Sequence, residues 1–191
     1  EIGWCDWSSD VCSSDLLVIE PGAEQAARST NNKRIGVIGT EGTVRSNAYT
    51  TAIQKLIPDA EVFSVACPLF VPLVEEGWQD HAVAQIIADE YLTPLKYKNI
   101  DTLVLGCTHY PLLHQTIQKV LGNSVCLVDS AEAIAGYLSR LLPEENDGRK
   151  GSDSFFVSDN EDKFAQIAKR ILADSFGNLA RVRLFESWFK D

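Results

Sequence analysis

Short, continuously apolar runs alternate along the chain with longer stretches in which apolar residues recur every three or four positions. The first kind reads as strands buried on both faces, the second as helices with one face against a sheet. Strands are predicted at 35–39 (Ile35-Gly36-Val37-Ile38-Gly39), 61–66, 100–105 and 124–128, with a short one at 155–157. A short helix is expected at 23–27, followed by a polar, basic connector at 28–34. Further helices are predicted over 45–57, from Asp80 with Ala82, Val83, Ile86, Ile87 and Leu92 on one side, from Leu112 through Leu113, Ile117, Val120 and Leu121, and over 131–142. Pro94 should end or kink the second of these, and Gly122 should stop the third. Asp129-x-x-Glu132 has the form of a capping box for the fourth, which Pro143 closes. Beyond a polar loop at 144–152, Phe164, Ile167, Ala168, Ile171 and Leu172 mark a last amphipathic helix ending near Gly177-Asn178. This alternation implies an α/β fold, a parallel sheet flanked by helices.

The run at 100–105 stops at Gly106, and a thiol, a hydroxyl and an imidazole follow at once in Cys107-Thr108-His109, before Tyr110-Pro111 opens a helix. The carboxyl end of a buried strand is where open α/β sheets place their chemistry. An imidazole or a helix start beside a cysteine favours the thiolate, the form that takes protons or attacks. Cys107 and His109 are therefore candidate catalytic residues. Thr40-Glu41-Gly42-Thr43 forms a second strand-to-helix turn, whose backbone N–H groups are free to meet a carboxylate or phosphate. Cys67, apolar-flanked and followed by proline, and Cys126, inside an apolar run, read as core. His81 in an exposed first turn and His114 on a helix surface are given no role.

Gly106-Cys107-Thr108-His109-Tyr110-Pro111-Leu112-Leu113 resembles the second cysteine motif of the glutamate racemases. Three further stretches match in order and spacing: Ile38-Gly39-Thr40-Glu41-Gly42-Thr43, the run from Ala66-Cys67-Pro68 to Glu75-Glu76-Gly77, and Val128-Asp129-Ser130-Ala131-Glu132. The similarity runs from Leu17 to the C-terminus and weakens after Pro143.

The resemblance implies a racemase that interconverts L- and D-glutamate without a cofactor, by proton transfer between two cysteines, and supplies D-glutamate for bacterial peptidoglycan. Cys107 would be one of the two thiols, acting on the L-glutamate face, and His109 would hold it as thiolate or shuttle its proton. Glu75 would be carried over as the active-site acid, with the adjacent Glu76 as the alternative, since one sequence does not say which of the two points inward. Thr108 and His109 would bind substrate, and Thr40 and Thr43 would belong to the cleft wall. No metal is implied. In the domain arrangement that follows, 17–32 is an inter-domain connector, 33–129 the α/β domain carrying the second catalytic cysteine, and 130–191 a segment returning to the first domain. That first domain, with its own catalytic cysteine, is mostly missing, so this polypeptide alone is expected to be inactive. The apolar face of the returning segment, with Phe155, Phe156, Phe164 and Ile171, would then lack a sheet to bury against, which predicts association, as in a homodimer, or a poorly ordered tail.

Residues 1–16 repeat Ser-Ser-Asp, follow no structural period and resemble a translated sequencing adapter, a non-native leader. With 27 acidic against 17 basic residues the chain carries a net charge of -10, which disfavours nucleic acid and anionic membranes as partners. No apolar run approaches the roughly 20 residues of a membrane span, and no secretory signal is recognisable, so a cytoplasmic location is expected. Five cysteines without a C-x-x-C pair argue against a disulfide framework and a zinc ribbon. Three competing readings remain: a related aspartate or hydantoin racemase, a non-catalytic module binding an amino acid or a protein, and a zinc site from Cys67, Cys107 and His109.

Overall fold

The computed structural model describes residues 13–141, 154–172 and 177–182. They fall into two compact units, 1–143 and 144–191. In the first, helix α1 (Ser13–Ser29) precedes strand β1 (Arg34–Gly39), helices α2 (Glu41–Ser46) and α3 (Ala48–Leu56), strand β2 (Glu61–Ala66), and helices α4 (Phe70–Glu75) and α5 (Ala82–Lys96). Strand β3 (Thr102–Leu105) follows, then a 3-10 turn (Tyr110–Leu113), helix α6 (His114–Leu121), strand β4 (Cys126–Asp129) and helix α7 (Ser130–Leu141).

The four strands form one parallel sheet in the order β2-β1-β3-β4. Side chains alternate across a strand, so the apolar runs of β1 and β3 serve two cores at once. Ile38, Leu103 and Leu105 face Phe70, Leu73, Ala84, Ala88, Leu92, Tyr110 and Ile117 on one side. Ile35, Val37 and Val104 face Ile19, Ala23, Ala26, Tyr49 and Ile53 on the other. Every residue of β3 is buried, as the continuous apolar run requires. The chain turns one way from β1 to β2 and the other way to β3. The carboxyl ends of β1 and β3 therefore flank the switch point where open sheets leave a crevice.

Several elements differ from the sequence reading. The helix expected over 45–57 is two helices, because Thr40 Oγ1 accepts the Thr43 amide and starts α2 early, and Asn47, at φ 56°, breaks the chain before α3. Asparagine is among the few residues that adopt the left-handed region readily. Helix α1 runs to Ser29 through Pro21 rather than covering 23–27 alone, with Ala23 and Ala26 in the core. Pro94 lies inside α5, which continues to Lys96. The buried face of α5 is Ala84, Ala88, Leu92 and Leu95, which leaves Ile86 67% exposed. Cys126 is exposed, not core: it is the first residue of edge strand β4, and Val125 and Val128 are its buried neighbours. Gly122, at φ 81°, stops α6, and Asp129 Oδ1 accepts the Ala131 amide at 2.7 Å at the start of α7.

The second unit pairs β5 (Ser154–Val157) in parallel with β6 (Asn178–Arg181), a strand absent from the sequence reading, with α8 (Glu161–Leu172) between them. Asn160 Oδ1 caps α8 by accepting the Lys163 amide. Phe156 and Ile171 are more than half exposed. Cys5, Cys12, the loop at 144–152 and the expected helix extension over 173–176 lie outside the described residues.

Candidate functional site

The residues with chemistry collect at the carboxyl end of the sheet. The Gly106 amide donates to the Ile38 carbonyl at 2.8 Å and carries the ladder one step past β3, after which the chain turns over the rim with Cys107 at its crest. The pairing of β1 with β3 sets the end of β1 beside this turn. A Cβ on Gly106 would lie 2.9 Å from the Ile38 carbonyl oxygen, 3.0 Å from the Tyr49 ring and 3.5 Å from the Thr43 methyl, so only glycine lets the two turns approach this closely.

Cys107 Sγ lies 3.9 Å from His109 Nδ1, and His109 Nε2 lies 3.8 Å from Glu75 Oε1. Thiol, imidazole and carboxylate thus form a line, with His109 in the middle and one ring nitrogen towards each neighbour. Both His109 and Glu75 are about one-third exposed (33% and 34%), so the line opens to solvent on one side. Glu75 arrives as the last residue of α4, whose buried Phe70, Leu73 and Val74 fix its rotation. Glu76, one residue on, is exposed. Burial pushes the Cys107 thiol above its ordinary value, while the amides of His109 and Tyr110 pull against that rise. Such a group is a thiol at neutral pH.

Thr108 is exposed at the crest of the turn. Across from it, Thr40 and Thr43 face each other with hydroxyl oxygens 3.0 Å apart. Cys67 stands apart from this line: it is fully buried, burial pushes its thiol up to about 12, and its sulfur meets the Val65 carbonyl at 3.8 Å. His81 Nδ1 accepts the Val83 amide at the start of α5, and His114 is exposed on α6. Among the described residues, no three His, Cys, Asp or Glu side chains gather in a group that could hold a metal ion. No helix of the described residues is long and apolar enough to cross a membrane.

Tyr110 had no separate role in the sequence reading. Its ring is buried edge-on to Phe70, with centroids 5.2 Å apart, and its hydroxyl donates to the Cys67 carbonyl at 2.8 Å. The signal was a single tyrosine between a polar turn and a proline, and nothing in spacing alone links it to Cys67.

A family profile described as Asp/Glu/Hydantoin racemase matches residues 16–138. The chain belongs to this racemase family. A glutamate racemase of Geobacter metallireducens is 47% identical over 87% of the chain, which spans 63% of that relative's length. Among solved structures, glutamate racemase isoform RacE1 of Bacillus anthracis superposes with a TM-score of 0.79 at 39% identity, covering 87% of the chain and 64% of the neighbour. The Francisella tularensis glutamate racemase, solved with D-glutamate, superposes with a TM-score of 0.74 at 35% identity, covering 86% and 62%. The chain therefore spans a little under two-thirds of the length of the relatives it matches, and its parallel sheet flanked by helices is theirs.

Proposed function

We propose that the chain carries one half of a glutamate racemase site, with Cys107 as one of two acid–base thiols. The observation that supports this most directly is the line from Cys107 through His109 to Glu75 at the sheet's switch point. Inverting an α-carbon without a cofactor takes a base on one face and an acid on the other. The Cys107 thiolate removes the α-proton of L-glutamate, the electron pair remains on a carbanion delocalised into the α-carboxylate, and a second thiol delivers a proton to the opposite face. His109 takes the Cys107 proton to form the thiolate and, once the carbanion has been protonated, returns it through solvent to the second thiolate, while Glu75 steadies the transient imidazolium. Thr108, Thr40, Thr43 and the amides of the two turns supply donors for the substrate carboxylates, which a chain of net charge -10 must provide locally. Glutamate is preferred over aspartate or a hydantoin because the similar proteins are named for it. On this reading the product is D-glutamate, and its use in peptidoglycan and its formation in the cytoplasm are part of the proposal.

Among the described residues, Cys67 and Cys126 lie outside this line, so the second thiol is assigned to the part of the relatives' length that the chain does not span. The test compares the 191-residue chain with a chimera supplying the remainder of the Geobacter metallireducens relative. D-glutamate should form with the chimera and not with the chain alone, and Cys107→Ala should abolish its formation. Racemisation by a chimera that tolerates Cys107→Ala would overturn the assignment, and a panel of L-aspartate and a hydantoin would reveal a different substrate.

A further inference from the structure

We propose that Tyr110 is a positioning residue, a buried clamp whose hydroxyl locks the turn bearing Cys107 and His109 onto the segment that delivers Glu75. The inference rests on the racemase reading for its consequence in catalysis, but its physical content is independent of that reading.

Cys107 and His109 belong to the turn after β3, whereas Glu75 sits at the end of α4, after β2. Between those two strands lies β1, so no ladder bond joins the two turns directly. Tyr110 spans the gap. Its amide donates to the Cys107 carbonyl at 3.1 Å, and its hydroxyl donates to the Cys67 carbonyl at 2.8 Å. Cys67 is itself tied to β1, since its amide donates to the Gly39 carbonyl at 2.9 Å. Its carbonyl also accepts from the Phe70 amide at 3.1 Å, the first turn of α4. Cys67 thus holds the end of β1 through its amide, and the start of α4 and the phenol from the Cys107 turn through its carbonyl. The Phe70 ring meets the Tyr110 ring edge-on at 84°, so the same helix is held by packing as well. Pro68 has no N–H to offer and the Leu69 amide donates to the Tyr91 hydroxyl, so the phenol is a buried polar tie between the two segments, beside the more exposed approach of His109 to Glu75.

Removing the hydroxyl while keeping the ring leaves the Cys67 carbonyl with one partner fewer in a dry core and frees the turn to shift against α4. Displacements of about 1 Å at a reacting group can cost on the order of 100-fold in rate. The effect should appear in two ways. In the 191-residue chain, Tyr110→Phe should raise the rate at which iodoacetamide alkylates Cys107 at neutral pH by about threefold, read peptide by peptide in a mass spectrometer. It should also lower the pH midpoint of that reaction, because a loosened turn admits water to a thiol now held up by burial. In the chimera, kcat for glutamate should fall by about tenfold or more, with KM within about twofold.

Ile53→Val, in the core on the other face of the sheet, is the control for mere loss of stability and should leave the Cys107 profile unchanged. If Tyr110→Phe does not fold, Phe70→Leu loosens the same ring without touching the hydroxyl and should move the profile in the same direction by a smaller amount. A Cys107 profile unaltered in the folded Tyr110 variant, or in Phe70→Leu where that variant stands in for it, overturns the clamp. An altered profile in a chimera that never racemises glutamate keeps the clamp and overturns the racemase reading.

Discussion

Gly106→Ala tests whether the site depends on the close approach of the two turns. The new methyl would sit 2.9 Å from the Ile38 carbonyl oxygen and 3.0 Å from the Tyr49 ring, below ordinary van der Waals contact. Neither neighbour can withdraw easily. The Ile38 carbonyl is fixed by the Gly106 amide at 2.8 Å, and Tyr49, on α3, is only 3% exposed, packed in the core between α3 and the sheet. The strain must therefore move backbone, and overpacking of this kind costs about 1–3 kcal/mol. With a urea dependence of about 2 kcal/mol per molar for a unit of this size, the unfolding midpoint should fall by roughly 0.5–1.5 M. Urea unfolding followed by circular dichroism measures the shift, and Cys107 alkylation on the same samples reports whether the turn has moved. A midpoint within about 0.2 M of the parent, with unchanged Cys107 reactivity, would refute the argument that only glycine fits.

Three further predictions rest on separate features. Gly136→Ala, in α7 where an added Cβ meets nothing within 4 Å, should stabilise the chain by about 0.5–1 kcal/mol in the same assay, so two glycine-to-alanine changes should have opposite signs. Asp101 accepts from the Thr30 and Thr102 hydroxyls and the Asn31 and Asn32 amides, and although burial pushes its carboxyl up, these bonds prevail and hold it below the usual range. Asp101→Asn should cost about 1–3 kcal/mol at pH 7; since the folded carboxyl is the stronger acid, this difference should persist above about pH 4 and vanish as pH falls through the folded value, measured as midpoint against pH. Among the three described cysteines, iodoacetamide at pH 8 should modify exposed Cys126 first, Cys107 next and Cys67 last, since burial holds the Cys67 thiol near 12; early modification of Cys67 would contradict its packing.

Strands β1 and β3 were legible because burial on both faces leaves a continuous apolar run, as at Leu103-Val104-Leu105, whereas the mostly exposed β6 left none. Helix boundaries were less so. The break at Asn47 depends on a threonine cap competing with helical spacing, and the rotation of α5 depends on alanines at 84 and 88, whose small side chains carry little hydrophobic weight in the sequence but pack closest to the sheet. In the site, Cys107 and His109 were readable together because two intervening bonds of chain keep them in one turn. Glu75 required the motif, since thirty-two positions separate it from Cys107 and no periodicity says which of two adjacent carboxylates faces inward. The Tyr110–Cys67 bond joins residues 43 positions apart through a single hydroxyl and left no trace in the pattern.

All the groups assigned to chemistry sit at one rim, which leaves the opposite rim available for attachment. Its connections are not equivalent: the one before β1 is knotted to Asp101 and to Asp59 through Lys33, whereas Asn123 and Ser124 project outward between α6 and β4. A fluorophore, affinity handle or inserted peptide grafted between those two residues would hang from the far side of the sheet, a full strand length from the thiol it is meant to report on.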